Sequence, residues 1–182
     1  MINKIQFDVS PYMGYQQRTI QNAMADATIA FAMDFGTNGE KLTRRAVERV
    51  NKKLYIPINL NAKFSVNKFH NIIETFNFYN VKSLNIAGNG IYTLSKFGMN
   101  QCYIDDYVYE FLKYLLSSPF LKNKIHTIRS GGQTGVDEAG LKAGVKLNIE
   151  RVISLCPKGW AFRDIKGIDH YNETEFKNRF LV

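Results

Sequence analysis

The sequence predicts one α/β domain: a doubly wound, mainly parallel sheet with helices on both faces. Three observations predict it. Five short apolar runs, at 27–33, 54–60, 83–87, 125–128 and 151–155, are mostly near-continuous rather than alternating, as strands covered on both faces are. Between them lie longer stretches with helical spacing, at 18–25, 40–50, 67–78, 105–116 and 136–147. Strand then helix, repeated, gives βαβ units. Finally, several of the runs end in glycine-bearing turns that open the next helix.

A chain of 182 residues is enough for one domain with a real core and thin for two, so residues 1–182 are read as a single unit. Hydrophobic residues make up 45%, which excludes a disordered or fibrous chain. The formal charge of +8 attracts nucleotides, phosphates and nucleic acid without choosing among them. No recognised nucleic-acid motif accompanies the charge, so nucleic acid is not the expected partner. The two cysteines, Cys102 and Cys156, lie far apart and show no metal spacing. The start, Met1 to Ile5, is not followed by a signal-type apolar run, and no stretch approaches the ~20 apolar residues of a membrane helix. A cytoplasmic setting with no membrane partner is therefore expected. The histidines at 70, 126 and 170 do not cluster, and no nucleophile elbow, phosphate-loop or zinc motif is present, so neither metal nor cofactor is expected. There is no internal repeat. Residues 117–124, with Ser117-Ser118-Pro119 and two lysines, read as a linker, and the tail 169–182 receives no element.

Four glycine-bearing segments are expected to carry the chemistry. The first is Ile128-Arg129-Ser130-Gly131-Gly132-Gln133-Thr134-Gly135-Val136-Asp137-Glu138-Ala139-Gly140. Gly131 and Gly132 permit a tight turn and close approach of a ligand to backbone. The helix that follows offers free N–H groups and the positive end of its dipole. Arg129 and Gln133 can donate to phosphate or ribose oxygens. Thr134 with Asp137 also reads as a capping box, which alone would explain both residues. The second segment is Cys156-Pro157-Lys158-Gly159-Trp160, after the last strand. There Lys158 can neutralise a phosphate, Gly159 allows close approach, and Trp160 either stacks on a base or packs as core. The third holds Gly36 and Thr37 beneath a helix N-terminus, with Glu40 in its first turn. Glu40 either simply favours the helix or faces a ribose hydroxyl as a general acid/base. Arg44 and Arg45 read as solvated. The fourth, Asn85-Ile86-Ala87-Gly88-Asn89-Gly90, either completes a pocket rim or turns the chain.

These residues resemble a family. Ser130-Gly131-Gly132-Gln133-Thr134-Gly135-Val136-Asp137 with Pro157-Lys158-Gly159 resembles the molybdenum-cofactor-carrier-like branch of the SLOG superfamily, a Rossmann-like fold. Arg18-Thr19, Asn22, Asp26, Gly36-Thr37, Glu40, Leu42-Thr43 and Ala46 resemble the other half of that branch and the Arg-plus-Gly-Thr-x-x-Glu region of LOG-type phosphoribohydrolases. In the carrier-like proteins the Ser-Gly-Gly-Gln-Thr-Gly block comes first. Here it comes last, so the chain resembles a circularly permuted form with its joint at 117–124. Where the hydrolases carry Pro-Gly-Gly, this sequence has Met33-Asp34-Phe35, which removes flexible backbone donors and adds an acid. The resemblance implies binding of a nucleotide-derived, phosphate-bearing small molecule, such as a cyclic nucleotide or an ADP-ribose-type signal. It extends to permuted chains of phages, which implies sequestration of a host signal. Its alternatives are N-glycosidic hydrolysis of a nucleotide, with Arg18 and Glu40 as the catalytic pair, and carriage of a molybdenum cofactor. The implied ligand-binding set is Arg18, Gly36, Thr37, Thr43, Gly88, Asn89, Arg129, Gly131, Gly132, Gln133, Thr134, Asp137, Lys158, Gly159 and Trp160. A symmetric homo-oligomer, a dimer or larger, is implied as well.

Overall fold

A computed structural model describes residues 5–12, 14–50 and 54–181. Residues 1–4, on which the leader reading partly rests, and Val182 of the tail lie outside them. In chain order the elements are β1 (Ile5–Val9), α1 (Gln16–Ala23), β2 (Ala27–Ala32), α2 (Asn38–Arg49), β3 (Leu54–Asn59) and α3 (Val66–Phe78). Then come β4 (Ser83–Gly88), α4 (Ile91–Ser95), α5 (Gln101–Leu116), β5 (Thr127–Ser130), α6 (Val136–Lys146) and β6 (Arg151–Cys156). A short hairpin, β7 (Ala161–Arg163) and β8 (Asp169–Tyr171), precedes α7 (Glu173–Asn178).

Six strands form one sheet in the order β1-β6-β5-β4-β2-β3, parallel throughout. Only β7 and β8 pair antiparallel, in a separate ribbon. Strand alternation separates two covered faces. Ile29, Phe31, Leu84, Ile86 and Ile128 point to one, where they pack with α3, α5 and α6. Tyr55 stands beside Thr28 in register, hence on the other face, and packs with Ala23 of α1 and Ala46 and Val47 of α2. The doubly wound Rossmann-like arrangement expected from the sequence is thus present. All six residues of β2 are buried, which explains why its run reads as continuously apolar.

Polar caps set several helix starts. The Asn100 side chain accepts from the Tyr103 amide, so α5 begins at Gln101, four residues before the apolar periodicity suggests. The Thr37 hydroxyl accepts from the Glu40 amide and starts α2. The fifth strand lies two residues later than expected, because Ile125 is buried ahead of it rather than in it. β1, α4 and the whole 161–178 region were not readable as elements. α4 buries Ile91 and Leu94 in the main core, whereas β1 and the 161–178 region pack on a second core in which Phe162, Phe176 and Phe180 meet Leu141, Val152 and Cys156. The 117–124 stretch is a surface connection pinned to α3: Asn77 Nδ2 donates to the Phe120 carbonyl, and Asn77 Oδ1 accepts from the Lys122 amide. Among the described residues no helix is long and apolar enough to cross a membrane.

Candidate functional site

β2 and β4 lie side by side, yet the chain leaves them in opposite directions. From β2 it passes through α2 on one face to β3. From β4 it passes through α4 and α5 on the other face to β5. At such a switch point the connections diverge and leave a crevice at the carboxyl ends of the strands. A cavity of about 500 Å³ occupies it, within the size range of small-molecule sites. It is lined from α1 by Arg18 and Asn22, from the start of α2 by Thr37, Asn38, Gly39, Glu40 and Thr43, and from β4 and its turn by Asn85, Gly88, Asn89 and Gly90. Gly131, Gln133, Thr134 and Asp137 close it from the 131–137 turn, with Tyr15, Tyr92 and Arg163 also in its lining.

Three ionisable groups meet inside. Arg18 is 4% exposed, its Nη1 has no hydrogen-bond partner, and its guanidinium lies 5.1 Å from the Tyr15 ring centre. Burial pulls it below the usual arginine range, against the pull of Asp137. Glu40 is 3% exposed and its Oε2 is unpartnered. Burial, then Asp137 and Asp34, push its carboxyl up to about 8. Burial also raises Asp137, to about 6, opposed by Arg18, the Gln133 amide and the Ser130 hydroxyl.

These acids set a pH dependence. Glu40 releases its proton near 4.5 when unfolded and only near 8 when folded. The folded state therefore binds more protons between those values, and stability falls as pH rises through the window. Glu40→Gln is expected to flatten that slope and to raise stability above pH 8 by several kcal/mol. Urea denaturation from pH 5 to 9 measures it; parallel curves for the two proteins would remove Glu40 as the source.

Several predicted residues also build the walls of the cavity. Asn89 is a clamp: its Oδ1 accepts from the Met33 and Asp34 amides, and its Nδ2 donates to the Asp34 carbonyl. Thr43 donates to the Gly39 carbonyl. Gly131 is glycine for contact, since a Cβ there would stand 2.6 Å from Asp137 Oδ2. The capping box expected of Thr134 and Asp137 is not formed. Gly135 caps α6 without a side-chain bond, the Thr134 hydroxyl donates to the Arg163 carbonyl, and Asp137 accepts from the Gln133 amide. Gln133 Nε2 donates to the Ala161 carbonyl, so this turn also carries the hairpin.

Six predicted residues do not line the cavity. The Gly36 amide is already taken by Asp34 Oδ1 at 2.7 Å. Gly132, at φ +72°, is packed against Ser154 and Phe176. Arg129 pairs in register with Asn85 but stands one strand further along the sheet, under the influence of Asp8 and Arg151. Lys158 and Gly159 are exposed beyond the end of β6, on the same edge of the sheet but two strands from β4. Trp160 packs between Phe7 and Phe176, at 6.4 and 5.5 Å between ring centres, with Lys177 4.8 Å from its ring. Of the two readings of Trp160, this geometry is the packing one.

Sequence reasoning passed over Tyr15, Tyr92 and Arg163, named Asn85 only as the start of the fourth segment, and noted Asn22 only as part of the resemblance. Asn22 and Asn85 did leave a signal, each being a polar residue on the buried side of its element. Arg163 left none, because the hairpin that delivers it was not readable. Among the described residues no group of three or more histidine, cysteine, aspartate or glutamate side chains could hold a metal ion. Fold and cavity together define a Rossmann-like α/β protein with a cavity at its switch point into which several polar residues project. Neither a protein-family model nor a curated protein matches the chain.

Proposed function

We propose that this chain binds a nucleotide-derived, phosphate-bearing small molecule in the switch-point cavity, as a member of the SLOG superfamily in circularly permuted form. One observation carries the reading: Arg18, buried with an unpartnered guanidinium nitrogen, faces the same cavity as the N-terminus of the twelve-residue helix α2. The first-turn amides of a helix lack intrahelical acceptors and lie at its positive end, which suits a phosphate. Asn38 and Gly39 bring that turn to the cavity wall. The ring pair Phe7–Phe180, 5.7 Å between centres, brings β1 together with the segment just after α7, as a permuted chain requires.

The ligand class is a cyclic nucleotide or an ADP-ribose-type signal, held in the cytoplasm by a homo-oligomer, with sequestration as the role. Holding rather than cleaving is favoured by Asp34, which occupies the Gly36 amide at the loop where the hydrolases keep free donors. Hydrolysis of an N-glycosidic bond is the second reading, favoured by Glu40: a carboxyl that keeps its proton up to about pH 8 is available as a general acid at neutrality. Carriage of a molybdenum cofactor has only the resemblance behind it.

Thermal shift with adenosine 5′-monophosphate, cyclic AMP and ADP-ribose tests the reading. A bound ligand at a hundred times its dissociation constant adds about 2.7 kcal/mol. Arg18→Met is expected to cut affinity by about 10- to 100-fold, the range for losing a hydrogen bond to a charged group. No shift with any of the three ligands sinks the proposal. Chromatography of the incubated ligands should return them intact. Release of free base, abolished by Glu40→Gln, would establish the hydrolytic reading instead.

A further inference from the structure

Among the described residues, seven buried side-chain atoms have no hydrogen-bond partner, and four of them belong to residues lining this one cavity. They are Arg18 Nη1, Asn22 Oδ1, Glu40 Oε2 and Asn85 Oδ1, on residues 4%, 5%, 3% and 2% exposed. Buried polar groups are normally paired, because each orphan forfeits its hydration. Four such orphans on residues that line one cavity mark it as the place where a ligand, met by a small turn of these side chains, would satisfy them.

The set has a definite polarity. Three of its four atoms are oxygens. Asn85 is oriented by its amide nitrogen, which donates to Thr28 Oγ1 at 3.2 Å and turns its oxygen away as the free end. A phosphate offers only acceptors at its ionised oxygens. Placed here it would pair with Arg18 and with the proton that Glu40 holds, but it would leave the two amide oxygens of Asn22 and Asn85 bare and meet the Asp137 carboxylate. Sugar hydroxyls, or an amino and ring-nitrogen edge, both donate and accept, so one such group can serve the oxygens and Arg18 together.

We propose that the cavity floor formed by Arg18, Asn22, Glu40 and Asn85 takes the uncharged, hydrogen-bond-donating end of the ligand, while the anionic end lies toward the first turn of α2. This rests on the nucleotide reading above and assigns its orientation. Arg18 is then a reader of the neutral end rather than the phosphate clamp that the resemblance implies. Asn22 and Asn85 become specificity-determining residues.

Isothermal titration tests the assignment with adenosine 5′-monophosphate as reference. Its 2′,3′-dideoxy analogue removes the sugar donors, inosine 5′-monophosphate replaces the exocyclic amine, and inorganic pyrophosphate carries the anion alone. One of the two analogues is expected to bind at least tenfold more weakly than the reference, and which one does so names the donor source. Pyrophosphate is expected to bind weakly. Asn22→Leu, which removes an orphan oxygen from a helix, is expected to weaken the reference at least tenfold while raising the melting temperature of the free protein by about 2–4 °C, the shift expected for about 1 kcal/mol in a chain of this size. A residue with a purely structural role would lower that temperature. Reference binding unaltered by both analogues and by Asn22→Leu, or matched by pyrophosphate, overturns the orientation alone. Failure of every probe to bind overturns the nucleotide reading and the orientation with it.

Discussion

Gly88→Ala is expected to destabilise the protein by about 3 kcal/mol or more, a large part of the 5–15 kcal/mol that holds a typical domain. Gly88 is the last residue of β4 and pairs in register with Phe31 of β2. A Cβ there would stand 2.0 Å from the Phe31 carbonyl oxygen and 2.8 Å from Val136 Cβ. The first obstacle is backbone, so no rotamer change relieves it; the two strands must part. The Asn89 amide, which donates to that same Phe31 carbonyl, would be displaced with them. The cavity lies where β2 and β4 end, so ligand binding should fall together with stability. A urea midpoint that drops with an unchanged slope would match this expectation. A change below 1 kcal/mol would mean the strands can separate freely at this end.

Arg179→Ala is expected to cost about 3 kcal/mol and to release the C-terminal region before the sheet unfolds. Arg179 Nη1 donates to Glu138 Oε2 at 2.7 Å, and Nη2 donates to the Gly132 carbonyl at 2.7 Å. Its guanidinium lies 4.4 Å from the Phe162 ring centre and 4.5 Å from that of Phe176. Removing it takes one of two cationic partners from the buried Glu138, leaving Lys142 at 2.6 Å. Breaking a buried pair from one side costs about 3–5 kcal/mol, and the surviving lysine holds the loss to the lower end. Lysine at 179 should not rescue fully, since a compact ammonium cannot hold both acceptors and lie flat against two rings. Hydrogen exchange should show faster opening of α7 and of the 161–171 hairpin, with β2 and β4 unchanged. Uniform acceleration across the sheet would show that the region does not open by itself.

Both expectations concern residues whose importance the sequence conveyed unevenly. Gly88 was marked by its place at the end of an apolar run. Arg179 was not marked at all, because it lies in a polar and aromatic tail with no period to read. The candidate site divides in the same way. Arg18, Thr37, Glu40, Thr43, Gly88, Asn89, Gly131, Gln133, Thr134 and Asp137 were singled out from the sequence and do meet around one cavity. Lys158, Gly159 and Trp160 were singled out by the same reasoning, a glycine turn after a strand, and end elsewhere. A strand end places a loop on the correct edge of the sheet. It does not say how far along that edge the strand stands.

Hydrophobic periodicity by itself determined the α/β class, the alternation of strands and helices, and the glycine turns at strand ends, because each of these is local in the chain. Strand order was decided only in the tertiary structure: β6 lies two positions from β4, and so carries its lysine and tryptophan away from the cavity. The pairing of Phe176 and Phe180 with Phe7 likewise joins segments more than 150 residues apart. So does the raised Glu40 carboxyl, which owes its state to burial beside Asp137, almost a hundred residues away in sequence. Long-range packing and desolvation depend on which surfaces meet, and no window of sequence contains both partners.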